Sequence, residues 1–287
     1  MEKKKKQEGF PPIEDTLSMV KSGSKGLLLP LEQPPHLIGR DEEVEFLYES
    51  LHKKRMKNSV LVGEAGVGKT VIVESLAEKL KGKVAFLEFS SAACVAGTHY
   101  RGDFEQKVIM MIRNVTSYNK QHPTLPLYLF IDEIHTIYKA GIADDDTLDI
   151  GNIFKPYLAD GRLTVIGATT PKEYEDTIQK DQALSRRLSP IYVPELPKEA
   201  ILPILKEFSE GKLDDHLIET VYQESLALTG YNPDKSLEII DRALAKNICT
   251  GQKIDAAMIA EIVHYLHWVT DPRVEEDTPK IHRHCSL

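Results

Sequence analysis

The segment Gly63-Glu64-Ala65-Gly66-Val67-Gly68-Lys69-Thr70 fits the pattern G-x-x-x-x-G-K-[ST], a loop whose glycines let backbone N–H groups close around phosphate oxygens. In such a loop Lys69 reaches the β- and γ-phosphates of a nucleoside triphosphate, and the Thr70 hydroxyl sits on Mg²⁺. Val71 opens the helix expected over Val71–Leu80, whose N-terminal partial charge favours the same anion. A second group stands in Leu127-Tyr128-Leu129-Phe130-Ile131-Asp132-Glu133, an apolar run ending in two acids. Downstream of a phosphate loop, Asp132 is expected to hold Mg²⁺, mostly through water. Glu133 is expected to polarise the water that attacks the γ-phosphate. Gly167-Ala168-Thr169-Thr170 ends a further apolar run. A hydroxyl there can read the γ-phosphate or orient the water, or it can belong to an ordinary turn. Asp181-Gln182-Ala183-Leu184-Ser185-Arg186-Arg187 places paired arginines at an expected helix end. They read either as a solvated basic pair or as arginine fingers, which stabilise charge on the transferred phosphoryl and are often supplied in trans.

Strands must carry these groups to one edge. The apolar runs Ser59–Val62, Val84–Phe89, Leu127–Ile131, Leu163–Ala168 and Ile191–Val193 predict strands, with helical patterns between most of them. Such alternation predicts an α/β fold, an open parallel sheet flanked by helices, whose ligand crevice lies at the carboxyl ends of the strands. After Pro194 the strand patterns stop. Leu217, Val221, Ser225 and Leu228 share one helical face, Leu237, Ile240 and Leu244 a second, and Ile259, Ile262, Val263 and Leu266 a third. The expected organisation is an arm or linker over 1–36, an α/β domain over 37–194, a small all-helical domain over 195–272 and a tail over 273–287.

The chain has 287 residues, 41% apolar and 28% charged, with a net charge of -8. This is ordinary globular composition at a length suited to two units. The acidic balance argues against a nucleic-acid-binding surface, and the basic run Lys3–Lys6 reads as a solvated tip. No apolar run approaches transmembrane length and the start lacks a signal-peptide core, so no membrane partner is expected. Cys94, Cys249 and Cys285 are far apart and unpatterned, which reads as reduced thiols in a cytoplasmic protein.

The motifs, taken in order, resemble the Clp-type AAA+ unfoldases, and specifically the first of their two ATPase modules, over nearly all of residues 37–272. Ile38-Gly39-Arg40-Asp41-Glu42-Glu43 resembles the family's opening motif near the adenine. Gly63–Thr70 and Phe130–Glu133 are similar to its Walker A and Walker B elements. Ala96-Gly97-Thr98-His99-Tyr100-Arg101-Gly102-Asp103-Phe104-Glu105 resembles the first pore loop, and Asp149–Pro156 the segment after the second. Ile166–Thr170 resembles the sensor-1 strand end, with Thr170 at the sensor position. Arg186 and Arg187 match the finger pair. Tyr231-Asn232-Pro233-Asp234-Lys235 resembles the lid motif that lies over the nucleotide, which gives Pro233 and Asp234 to the nucleotide site.

The resemblance implies an AAA+ P-loop NTPase with a helical lid, with ATP and Mg²⁺ as cofactors. It implies a hexameric ring, of this chain alone or mixed with a larger Clp relative, in which fingers reach a neighbour's site across a head-to-tail interface. It also implies protein substrates, gripped by Tyr100 as the lid and sheet move with hydrolysis. No segment matches the family's peptidase-docking tripeptide, so coupling to a ClpP-type barrel peptidase is not expected. The chain reads as a stand-alone single module. Three departures are local: the acidic run Asp144-Asp145-Asp146 at the second pore loop, His99 before the pore tyrosine, and Leu188 where relatives carry Phe. The expected function is ATP-driven remodelling by threading. The alternative is a nucleotide-switched regulatory or assembly subunit that forms rings without threading.

Overall fold

The computed structural model describes residues 28–31, 39–54, 56–90, 101–139 and 150–270. The chain divides into two compact units, one up to Pro194 and one from Glu195. The first contains β1 (Leu28–Pro30), α1 (Asp41–His52), β2 (Asn58–Val62), α2 (Lys69–Lys79), β3 (Ala85–Phe89), α3 (Arg101–Gln121), β4 (Leu127–Ile131), α4 (Thr136–Lys139) and α5 (Ile150–Ala159). It continues with β5 (Val165–Thr169), α6 (Pro171–Glu173), a π-helical turn (Tyr174–Gln179), α7 (Gln182–Ser185) and β6 (Leu188–Tyr192).

The strands form one sheet in the order β1-β3-β4-β5-β2-β6. Every neighbouring pair is parallel except β1 with β3. β2 and β5 are buried along their whole length, as central parallel strands covered on both faces must be. Alternate residues of β4 divide between two cores, following the two-residue period of a strand. Leu129 and Ile131 pack with Val108 and Ile112 of α3 and Phe154 of α5. Phe130 packs with Leu47 of α1 and with Ile72 and Leu76 of α2.

Two strands differ from the sequence expectation. Residues 1–36 read as an arm, yet Leu28–Pro30 add an antiparallel edge strand to β3, and Leu28 is fully buried there. The run is too short to show a period, and Pro30 is a residue that an edge strand tolerates. β6 begins at Leu188, earlier than the Ile191 expected, because Pro190 interrupts the apolar pattern. Among the described residues β6 pairs with β2 alone, so this proline also sits at a sheet edge.

The second unit holds four helices among the described residues: α8 (Lys198–Phe208), α9 (Asp215–Ser225), α10 (Asp234–Thr250) and α11 (Ala256–Thr270). Ile201, Leu205, Val221, Ile239, Ile240, Met258 and Ile259 meet in its core. The faces expected around Val221, Ile240 and Ile259 belong to α9, α10 and α11. α8 was not anticipated, since Pro203 lies inside it and the segment carries no strong start signal. No described helix is long and apolar enough to cross a membrane.

Candidate nucleotide site

The turn from β2 to α2 is shaped by its glycines. Gly66 and Gly68 have φ of 82° and 95°, a region that residues with a side chain rarely adopt. Gly68 caps α2 without a side-chain bond, and no acid stands in the first helical turn. The start of α2 therefore presents backbone N–H groups and positive partial charge to an anion. Gly63 is sewn between strand ends: its N–H donates to the Thr169 carbonyl at 3.1 Å, and a Cβ on it would lie 2.5 Å from the Val193 carbonyl oxygen.

Lys69 is buried, and its ammonium donates to the carbonyls of Gly63 at 2.8 Å and Glu64 at 2.9 Å. Burial pulls its pKa below the ordinary lysine value, against the opposing pull of Asp132, Glu133, Glu64 and Glu173. Thr70 and Val71, both half-buried, follow in the first turn of α2. A loop of this shape, with a cation at its base, fits a polyphosphate.

β4 ends at Ile131 and hands Asp132 and Glu133 to the same edge of the sheet. The Glu133 N–H donates to Asp132 Oδ1 at 2.9 Å. Glu133 has a φ of 49° and an exposed side chain, so a non-glycine residue is held in the left-handed region where the two acids stand. The Ile134 N–H donates to the Ala168 carbonyl at 2.9 Å, tying this turn to β5.

Thr169 closes β5, and Thr170 caps α6. The Thr170 hydroxyl donates to Glu173 Oε2 at 2.9 Å and accepts the Glu173 N–H at 3.4 Å. His135 is buried beside them. Its Nδ1 lies 3.0 Å from Thr169 Oγ1 and 3.4 Å from Glu133 Oε2, and its Nε2 lies 2.9 Å from Glu173 Oε1. Glu133, His135 and Glu173 could in principle gather a metal, but both ring nitrogens of His135 already face oxygens of side chains in the group.

Lys69, Thr70, Asp132, Glu133 and Thr170 thus lie at the carboxyl ends of β2, β4 and β5. The residues expected to hold Mg²⁺, Thr70 and Asp132, are among them. Arg186 and Arg187 are not. Arg186 is the exposed C-cap of α7, and Arg187 donates to the Ala183 carbonyl at 2.5 Å. Both line a cavity of about 780 Å³ with Lys54, Lys57 and Asn58. Asn58 starts β2, so this cavity lies at the amino end of a strand whose carboxyl end leads into the phosphate loop. Pro233 and Asp234 belong to the second unit, where they cap and open α10. Ile38 and Tyr100, with His99 and Asp144–Asp146, lie outside the described residues.

Sequence reasoning missed two residues, Glu173 and His135, and gave a third, Arg40, only as part of the opening motif. Arg40 is buried and bridges three groups: it donates to Glu43 Oε1 at 2.6 Å, to the Val67 carbonyl at 2.7 Å and to the Pro194 carbonyl at 2.6 Å. It clamps the phosphate loop to the end of the first unit. Glu173 could have been found, since Thr170-x-x-Glu173 is a capping-box pattern. His135 carried no signal beyond following the two acids.

Residues 59–194 match the ATPase family associated with various cellular activities (AAA). The chain is 38% identical over 228 residues to the chaperone protein ClpB of Wolinella succinogenes, covering 73% of this chain and 26% of that protein. It is 37% identical over 250 residues to ClpB of Lactococcus lactis, covering 80% and 27%. The fold superposes on Hsp104 solved with ATPγS and FITC casein, with a TM-score of 0.68, 30% identity, and coverage of 87% of this chain and 46% of that one. It likewise superposes on an S. cerevisiae Hsp104–ADP complex, with a TM-score of 0.67, 28% identity, and coverage of 77% and 33%. The chain spans about a quarter of the length of the ClpB relatives it matches. With the phosphate loop, the paired acids and the strand-end threonines at one edge of this sheet, the chain belongs to the AAA+ ATPases and carries an ATPase module of the Clp type.

Proposed function

We propose that this chain binds MgATP at Gly63–Val71 and hydrolyses it, and that a ring of such modules uses the cycle to remodel protein substrates. The observation that carries the reading is the convergence of Lys69, Asp132, Glu133 and Thr170 at one sheet edge, with Arg186 and Arg187 at the other end of β2. Lys69 holds the β- and γ-phosphates, and Thr70 and Asp132 hold Mg²⁺, which neutralises charge on the phosphates when bound. Glu133 takes the proton of the attacking water, and Thr170 reads the γ-phosphate. The resemblance to Clp-type modules assigns Ile38, Pro233 and Asp234 to nucleotide binding as well.

The place of the arginines supports action in trans. A residue beside the amino end of β2 cannot reach a phosphate held beyond its carboxyl end in the same sheet. Arg186 and Arg187 then serve the nucleotide of a neighbour, which requires head-to-tail closure of copies into a ring. Tyr100 is the gripping residue for an extended polypeptide. The cytoplasm is the compartment that goes with this reading, and Cys249, an exposed free thiol, is compatible with it.

The test combines two variants. Glu133→Gln should bind ATP, lose turnover and accumulate as a ring by native mass measurement. A monomer with ATP bound would overturn the ring. Tyr100→Ala should keep most ATPase activity and lose remodelling of an aggregated or tagged model protein. A Tyr100→Ala variant that remodels as well as wild type would overturn threading through that residue.

A further inference from the structure

We infer that His135 is a positioning residue for Glu133, coupling the direction of its carboxylate to the groups at the end of β5. The inference rests on the reading of Glu133 as the base. The Glu133 side chain is about half exposed, so packing does not fix it. Its backbone sits at φ 49°, a conformation that persists when surrounding structure over-determines it. His135 is held rigidly by comparison: its side chain is 7% exposed.

The ring makes two kinds of contact. Nε2 faces Glu173 Oε1 at 2.9 Å, and a carboxylate can only accept, so Nε2 carries a hydrogen. Nδ1 faces two oxygens, Thr169 Oγ1 at 3.0 Å and Glu133 Oε2 at 3.4 Å. Nε2 thus donates to Glu173 on one side of the ring, and the Nδ1 edge is shared by Thr169 and Glu133 on the other. Glu173 is itself held by Thr170, whose hydroxyl donates to Oε2 at 2.9 Å. A continuous path therefore runs from Thr170 through Glu173 and His135 to Glu133. A γ-phosphate that claims the Thr170 hydroxyl removes one of the bonds on Glu173. Glu173 then turns further toward His135, and the ring's hold on Glu133 changes with it. His135 acts through Glu133, not on the reacting atoms.

The experiment uses the full chain with ATP. His135→Ala should lower kcat about 10- to 100-fold, the scale of a misplaced catalytic group, while ATP affinity stays within about twofold. His135→Asn, which keeps an amide near the Nδ1 position, should recover part of the loss. In a Glu133→Gln background, His135→Ala should add no further loss, because coupled residues are not additive. Unchanged kcat, equal falls in kcat and affinity, or fully additive losses would each overturn the role. A readout independent of turnover is the imidazole ¹⁵N spectrum of His135. Glu133→Gln and Glu173→Gln should each shift it, and two variants that leave it unmoved sink the inference. Full activity in Glu133→Gln would instead defeat the assignment of the base itself, whereas loss there with no effect at His135 defeats this inference alone.

Discussion

A Cβ added to Gly167 would lie 2.6 Å from Cδ1 and 2.9 Å from Cγ2 of Ile134, so the strand that ends in Thr169 and the turn that presents Glu133 share one close-packed contact. Cδ1 could swing aside. Cγ2 moves only if the whole buried side chain turns about its Cα–Cβ bond, and the Ile134 Cβ, at 3.1 Å, cannot move without the backbone between Glu133 and His135. Gly167→Ala should therefore cost about 1–3 kcal/mol, the usual penalty of overpacking, and should lower kcat as the acids shift. Adding Ile134→Val removes the nearest atom and should recover part of the stability. Thermal melts of the two variants check this; a Gly167→Ala chain as stable and active as wild type would show that the contact has slack.

Arg40 answers a different question, namely what keeps the phosphate loop in place before nucleotide arrives. Its guanidinium bonds the Val67 and Pro194 carbonyls and Glu43, and hydrogen bonds to a charged group are the stronger kind. Arg40→Ala should destabilise the chain by about 2–3 kcal/mol and weaken ATP binding, since Val67 lies inside the loop. Arg40→Lys should restore little, because a point-like ammonium cannot span three acceptors set in a fork. Urea unfolding with nucleotide titration would separate the two effects.

The residues that announce themselves in sequence are those bound to their chemistry through a fixed local pattern. Gly63–Thr70 is such a pattern, and so is an apolar strand ending in Asp132-Glu133. Leu28 is not. Its burial depends on pairing with Phe89, a partner far along the chain, and three residues ending in a proline carry no period to reveal it. His135 is similar: it matters through Glu173 and Thr169, which the chain brings to it only after β5 is laid beside β4. Arg40 lies near one end of the first unit and bonds the carbonyl of Pro194 near the other. Local patterns show what a segment can do, and contacts between distant segments decide which side chains hold it still.

Lys69 gives a pH dependence whose sign can be worked out. Burial lowers its pKa in the folded chain below the ordinary value of 10.5. Between those two values the unfolded chain holds the extra proton, so this group's contribution to stability rises with pH. Comparing wild type with Lys69→Met as pH rises toward the ordinary lysine value of 10.5 should show the balance of unfolding free energies moving in favour of wild type. A constant difference would contradict a buried, desolvated ammonium. MgATP at 100 times its Kd should stabilise wild type by about 2.7 kcal/mol and leave Lys69→Met unmoved.

Arg186 and Arg187 are neighbours in sequence and differ in what they hold. Arg187 is half-buried and donates to the Ala183 carbonyl, closing the short helix that Asp181 opens through the N–H groups of Ala183 and Leu184. Arg186 is exposed and, among the described residues, lines the cavity at the amino end of β2. Arg187→Ala should therefore cost about 1 kcal/mol of stability as well as activity. Arg186→Ala should leave stability within about 0.5 kcal/mol, as for an ordinary surface substitution, leave ATP affinity unchanged, and abolish the hydrolysis that depends on assembly. Mixing Arg186→Ala with Glu133→Gln chains discriminates further. A site formed by an intact Glu133 and a neighbour's intact Arg186 arises in the mixture and in neither pure sample, so turnover should reappear on mixing. Failure to recover any turnover, with both chains shown to assemble together, would place the arginine outside the neighbour's site.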